Sequence, residues 1–405
     1  VINGQGDCLE ETHKVKVKIR MNRNVPNLEK QNFEANSASI EKLSVFGAEK
    51  RGNNLDHFIW SCTRAYPIKH AFSLGDGQPL PDELTTSEAM NMLVKVAEFG
   101  ADNIFISGAG WTGEPLMRSD FVDLIRYSAQ LNLSPYVKVT GWRFDSTVAK
   151  ELADAKCKAI VCLAGLKETD DFLRGEGSFE ASINAAQLCK KYDVPFAITV
   201  INTKHVVNQV TDLIKLSINL GAKSFHLASL IPQPIYAQDQ LRILGPLEPT
   251  PSDREKQLNE IYELNKKVAS NILIVPYEMF NNRILKTREP SRDLHSMCSM
   301  CDNLTRYEWL EVLDDGKAFA CAPLNLEFGD IRKDSIKEIM DRMRISEKIK
   351  KLSDRNNLKG KCGFCQFKNI CGGCRARAYI YTKDPLNQDP MCAYEPIKSD
   401  LLKLS

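Results

Sequence analysis

Between residues 57 and 233 short apolar runs alternate with amphipathic stretches: 58–62 then 88–99, 103–107 then 120–131, 136–139 then 146–155, 159–163 then 179–192, 196–201 then 206–220, and finally 224–229. Brief β-rich runs separated by segments with helical spacing predict six strand–helix units. Strict alternation of this kind predicts parallel strands joined by right-handed crossovers. That is an α/β fold, an open sheet or a full or partial barrel. Chemistry in such folds belongs to the loops that follow the strands' C-terminal ends.

Outside this region the pattern changes. A period-2 stretch, Lys14-Val-Lys-Val-Lys-Ile-Arg20, predicts a half-buried strand within an N-terminal extension, 1–55. Gly245, Pro246, Pro249 and Pro251 mark a boundary before a polar helix expected over 253–270. The chain is therefore partitioned into the extension, an alternating region 56–245, a connecting helical region 246–291 and a cysteine-rich region 292–405. A length of 405 residues exceeds what one simple core usually supports, which agrees with several units.

Composition excludes more than it identifies. Hydrophobic content of 43% and charged content of 26% are those of an ordinary globular protein. A net charge of +2 with scattered basic residues gives no electrostatic footprint for nucleic acid. No apolar run approaches the roughly 20 residues of a membrane span, and residues 1–21 are too polar for a signal peptide. A cytoplasmic location is expected.

Cysteine changes the picture. Of thirteen, Cys8, Cys62, Cys157, Cys162 and Cys189 are isolated, while Cys298, Cys301, Cys321, Cys362, Cys365, Cys371, Cys374 and Cys392 crowd the last quarter. Disulfides are not expected in the cytoplasm, so the clustering implies metal. The spacings Cys298-x2-Cys301 and Cys362-x2-Cys365-x5-Cys371-x2-Cys374 suit chelation by thiolates. They leave iron–sulfur clusters and structural zinc both open. Segments 309–313 and 317–321 flank Asp314-Asp315-Gly316, a hairpin signal that would return Cys321 beside Cys301.

The run Cys362-Gly-Phe-Cys-Gln-Phe-Lys-Asn-Ile-Cys-Gly-Gly-Cys-Arg-Ala-Arg-Ala-Tyr379, with Asp389-Pro-Met-Cys-Ala-Tyr-Glu-Pro396 after it, closely resembles the SPASM domain of radical-SAM enzymes, especially the branch acting on haem precursors. The resemblance implies two auxiliary 4Fe-4S clusters. Cys298, Cys301, Cys321 and Cys374 would hold one; Cys362, Cys365, Cys371 and Cys392 would hold the other. Eight ligands for eight sites leave no open iron, which favours electron transfer or bracing. Cys298 departs from the pattern, because the family's upstream cysteine usually lies farther from its neighbour. Arg375 and Arg377 are expected to balance the clusters' negative charge.

The alternating region resembles the radical-SAM barrel, here a partial (β/α)6 barrel. Gly108-Ala-Gly-Trp-Thr-Gly-Glu-Pro115 stands where that family has a Gly-Gly-Glu-Pro loop that binds the SAM amino group, so the resemblance makes Glu114 a candidate cofactor-binding residue. Arg174-Gly-Glu-Gly-Ser-Phe179 and Leu230-Ile-Pro232 also look like family loops. Trp111 and Trp142 are expected to pack in the core or lid.

One loop departs from the family. Trp60-Ser-Cys-Thr-Arg-Ala-Tyr66 leads into the positions of the cluster-binding C-x3-C-x2-C triad, and these carry Tyr66, His70 and Ser73. A phenol, an imidazole and a hydroxyl are poor substitutes for three thiolates. The expectation is a degenerate member with two auxiliary clusters, no SAM-cleaving cluster and no call for SAM. It would serve as an electron-transfer or accessory subunit beside a protein partner and not as an active radical-SAM enzyme. The alternative is an enzyme that uses the barrel cavity for a tetrapyrrole or peptide by non-SAM chemistry.

Overall fold

Helix starts along the chain are written in local chemistry. Thr85 caps the helix Thr86–Glu98 and Glu88 returns the bond in a capping box; Thr250 with Asp253 and Ser335 with Glu338 do the same for Pro251–Val268 and Ile336–Ile345. Ala89, Met92, Leu93 and Val96 recur at helical spacing and form the buried stripe of the first helix. The computed structural model describes residues 57–73, 76–110, 113–233, 240–294 and 309–396.

Among the described residues the strands are β1 (His57–Ser61), β2 (Asn103–Ser107), β3 (Ser134–Val139), β4 (Lys158–Leu163), β5 (Phe196–Asn202), β6 (Ser224–Ser229), β7 (Leu273–Tyr277), β8 (Trp309–Val312), β9 (Lys317–Cys321) and β10 (Leu326–Asp330). They form one sheet in the order β10-β9-β8-β1-β2-β3-β4-β5-β6-β7. Strands β1 to β7 pair in parallel, so their C-terminal ends share one rim, the barrel mouth. The α/β expectation is met, and the helix expected over 253–270 runs from Pro251 to Val268.

Two features exceed the expected six strand–helix units. Strand β7, Leu-Ile-Val-Pro-Tyr, contains Pro276, which disguises it in sequence; the sheet tolerates a residue without an N–H there because β7 is an edge strand. The expected hairpin forms as β8 and β9, but β8 also pairs in parallel with β1, Trp60 opposite Val312. The cysteine-rich region thus extends the sheet of the alternating region.

The main core lies between one sheet face and the helices, where Trp60, Ile106, Val139 and Val200 meet Met92, Leu124 and Leu213. Each buried large side chain of this kind is worth about 1.5–3 kcal/mol. Cys62, Cys157, Cys162 and Cys189 are buried, and burial pushes their thiols up, so they act as small apolar residues. A smaller cluster closes the mouth: Phe72, from the loop after β1, packs with Ala164 after β4, Ile201 near the end of β5, Leu230 after β6, and Leu173 and Leu244. The strand read over 14–20, together with Trp111, Cys298 and Cys301, lies outside the described residues.

Candidate functional site

The loops after β1 and β2 are laced together by their backbones. Ala109 N–H donates to Thr63 O (2.8 Å) and Glu114 N–H to Ala65 O (2.8 Å). A Cβ on Gly108 would fall 1.8 Å from the Gly113 carbonyl carbon, and one on Gly113 would fall 2.4 Å from Thr63 O, so both positions require glycine. Glu114 is fully buried at this junction. Its carboxylate accepts from Leu116 N–H (3.1 Å), from Thr140 N–H (2.6 Å) and from the Thr140 hydroxyl. Burial raises its pKa, and the Thr140 and Leu116 donors work against that rise. The side chain braces the loops after β2 and β3.

The triad positions sit on the loop after β1. Tyr66 is buried, its N–H donating to Gly77 O (3.2 Å), and its ring lies 2.9 Å from where a Gly77 Cβ would stand. His70 is 5% exposed; its ring centroid is 6.2 Å from that of Tyr66 and 6.0 Å from that of Phe72. Neither ring nitrogen has a hydrogen-bond partner. Burial first, and then the charge of Arg174, lowers the imidazole pKa to about 3, so it is neutral near pH 7. Ser73 Oγ accepts from His70 N–H (2.7 Å) and holds the loop's own turn. Aromatic rings and a turn hydroxyl occupy these positions, and they do not fit a cluster that needs three thiolates.

Four of the C-terminal thiols share one cleft. Cys362, Cys365, Cys371 and Cys392 line one cleft, with Phe280, Arg283 and Tyr394 at its walls. Among the described residues no three His, Cys, Asp or Glu side chains converge on a single-ion site. Burial pushes the Cys392 thiol up to about 11 and raises Cys371 and Cys365 as well; binding a metal would deprotonate them. Gly372 and Gly373 stand at φ +68 and +67, and a Cβ on Gly372 would meet Arg355 Nη1 at 2.4 Å. Both terminal nitrogens of that guanidinium are buried without a partner, a cation suited to an anionic group on the Cys371–Cys374 turn. Of the other ligand set, Cys321 and Cys374 pack against one apolar cluster with Leu324 and Leu386.

Sequence reading missed a buried ion network behind this cleft. Arg377 donates to Asp389 through Nε (2.9 Å) and Nη2 (2.8 Å), and to Glu278 through Nη2 (2.7 Å) and Nη1 (3.1 Å). Arg254 then links Glu278 (3.0 Å) to Glu248 (2.6 Å), and Ser229 Oγ, at the end of β6, donates to Glu278 (2.8 Å). Asp389 also accepts from Cys374 N–H (2.7 Å) and Met391 N–H (3.0 Å). Burial would raise the Asp389 and Glu278 carboxyls, but Arg377 outweighs it and holds both below their usual range. Arg377 was expected to balance cluster charge, and its planar fork instead joins two carboxylates. The only sequence signal was its place beside Cys374.

A mixed sheet whose strands β1 to β7 run parallel, a laced rim and a thiol-lined C-terminal cleft define an α/β protein of the barrel type with a cysteine-rich C-terminal region. No protein-family model matches the chain. It is 30% identical over 330 residues to an AdoMet-dependent heme synthase of Methanosarcina barkeri, covering 78% of this chain and 89% of that one. It is 24% identical to a PqqA peptide cyclase of Bradyrhizobium diazoefficiens, over 79% of this chain and 81% of that one. Streptococcus suis SuiB, solved bound to S-adenosylmethionine, has the same fold with a TM-score of 0.63 at 16% identity, over 84% of this chain and 77% of that one. The chain belongs to the radical-SAM/SPASM family, close to the AdoMet-dependent heme synthases.

These relatives correct two expectations. The chain was read as an accessory electron-transfer subunit and as no active enzyme, yet the proteins it matches along most of their length are named as enzymes. The reading that SAM has no place here likewise conflicts with the 30% identical relative, which is named as AdoMet-dependent. Both expectations leaned on three positions of one loop, whereas the similarity covers 78% of the chain. No helix among the described residues is long and apolar enough to cross a membrane.

Proposed function

We propose that this chain is an enzyme that acts on a tetrapyrrole held at the barrel mouth, in a branch of its family where the opening-loop triad has been replaced. The similarity to an AdoMet-dependent heme synthase over 89% of that protein carries the reading. Under it, Cys362, Cys365, Cys371 and Cys392 hold one 4Fe-4S cluster, and Cys298, Cys301, Cys321 and Cys374 hold the second. Such clusters supply one-electron transfer when bound. The rest is the work of this chain's own residues. Glu114 fixes the loops after β2 and β3, Phe72 excludes water from the ends of β4 to β6, and the Arg377 network holds the cysteine loops against the rim. No step is assigned to Tyr66, His70 and Ser73 as cluster ligands.

The test is anoxic purification followed by iron and sulfide analysis and incubation with iron coproporphyrin, SAM and a low-potential reductant. About eight irons per chain, porphyrin binding and a modified porphyrin on chromatography are expected. Failure to bind any porphyrin would overturn the reading, and about twelve irons would return a third cluster to the mouth.

A further inference from the structure

Three buried arginines surround the Cys371-Gly-Gly-Cys374 turn, and two of them use their donors on the protein itself. Arg375 donates to Pro385 O (3.0 Å), Asn387 O (2.7 Å) and Gly372 O, and Arg377 joins Asp389 to Glu278. Arg355 is different. It is 9% exposed, and both terminal nitrogens of its guanidinium are buried without a hydrogen-bond partner. A guanidinium cannot relieve its burial by losing a proton, so a cation in this state calls for an anion beside it.

The position of Arg355 identifies that anion. A Cβ on Gly372 would fall 2.4 Å from Nη1 and 2.9 Å from Cζ, so the guanidinium lies against the backbone of the turn in a contact that glycine permits. The turn runs from Cys371, on the wall of the cleft, to Cys374. Backbone donors meet the sulfurs of this region: Gly373 N–H donates to Cys371, Phe367 N–H to Cys365, Tyr394 N–H to Cys392, and Arg377 N–H to Cys374 Sγ (3.4 Å). Donors aimed at four sulfurs suit thiolates, and thiolates that hold iron bring the negative charge that Arg355 is missing.

We propose that Arg355 donates to the sulfur of the iron–sulfur cluster ligated from the Cys371–Cys374 turn and holds the reduction potential of that cluster up. The inference rests on the cluster assignment of the proposed function and adds the residue that sets the potential. Reduction places one electron, from a low-potential reductant, on a group that is already negative. A fixed cation with two free donors favours the reduced form. No bond in the chain is made or broken, and no proton moves.

The experiment reconstitutes the anoxic full-length protein with iron and sulfide and follows a mediated dithionite titration by paramagnetic resonance. Arg355→Met, which keeps the length of the side chain and removes its charge, should lower the midpoint of one cluster by at least the ~59 mV of a tenfold change for one electron, with iron content unchanged. Arg355→Lys keeps the charge without the planar fork and should lower the same midpoint by less. Lys359→Met removes an exposed cation paired with Asp384 and should leave both midpoints in place. If Arg355→Met takes up no iron, the midpoint of Arg355→Lys decides: a lowered value supports the role and an unchanged one overturns it. Wild-type midpoints in Arg355→Met, an equal shift in Lys359→Met, or loss of iron from both Arg355 variants would overturn the role of Arg355 and leave the cluster assignment standing. A wild-type protein that takes up no iron and sulfide would overturn both.

Discussion

Arg377 Nη2 stands 2.7 Å from Glu278 Oε1, joining a residue just past the second cysteine pair to the residue that follows β7 at the rim. The same guanidinium holds Asp389, which accepts from Cys374 N–H (2.7 Å) and, through its backbone carbonyl, from Cys392 N–H (3.3 Å). Loops from both proposed ligand sets are thereby registered against the sheet by one fully buried side chain. A buried ion network is weak evidence for net stability, but removing one partner leaves uncompensated charge.

Arg377→Met should therefore destabilise the protein by about 3–5 kcal/mol, measured by denaturant unfolding of the anoxic protein. Arg377→Lys keeps the charge but cannot span Glu278 and Asp389 with one planar fork, so it should restore only part of the loss. Equal stability of the Met variant and the wild type would show that the network does not hold the cysteine loops in place.

Loading of the cleft should depend on pH. Burial holds the Cys392 thiol at about 11 and raises Cys371 and Cys365, and only the thiolate binds metal. Reconstitution with iron and sulfide should accelerate between about pH 7 and about pH 9, followed by absorbance in the visible. Cys371→Ser and Cys392→Ser should each remove close to half of the iron, whereas Cys157→Ser, in the core, should leave the iron content unchanged.

Gly373 stands at φ +67, and a Cβ there would fall 2.7 Å from Asp389 Cβ. Gly373→Ala should lower iron content and thermal stability together, through a strained backbone and a displaced Asp389. Ala376→Gly, on the following helix, should cost about 1 kcal/mol of helix propensity and the contacts of a buried methyl beside Cys374.

His70 gives the metal-free protein an acid-sensitive element. Its folded pKa of about 3 lies below the ordinary 6.5, so the unfolded chain binds the extra proton between those values. Stability from this residue is complete above about pH 6.5 and falls as pH drops toward 3, by about 1.5 kcal/mol between pH 6.5 and pH 5. His226, buried and also lowered to about 3, titrates in the same window. The measurement is consequently a difference: the pH slope of unfolding free energy for His70→Gln should be shallower than that of the wild type, and identical slopes would sink the assignment.

Glu114→Gln should loosen the mouth. Its oxygens accept from Leu116 N–H and from both donors of Thr140, and an amide in their place would point a donor at a donor. A loss of about 1–3 kcal/mol is expected, with faster hydrogen exchange at Thr140 N–H as the local signature.

The sequence by itself determined the alternation that makes a parallel sheet, the capping chemistry that starts its helices, and the donor type of the C-terminal thiols. Each is a local matter of spacing, and each is legible because a strand, a cap or a cysteine pair needs only near neighbours. Tertiary structure decided what depends on distant partners. It made an edge strand of a segment containing Pro276, joined β8 to β1, and closed the mouth with Phe72. It also left His70 without a hydrogen-bond partner and placed Arg377 between Glu278 and Asp389. Burial and pairing of charge arise only when remote segments meet, so no run of neighbouring letters could announce them.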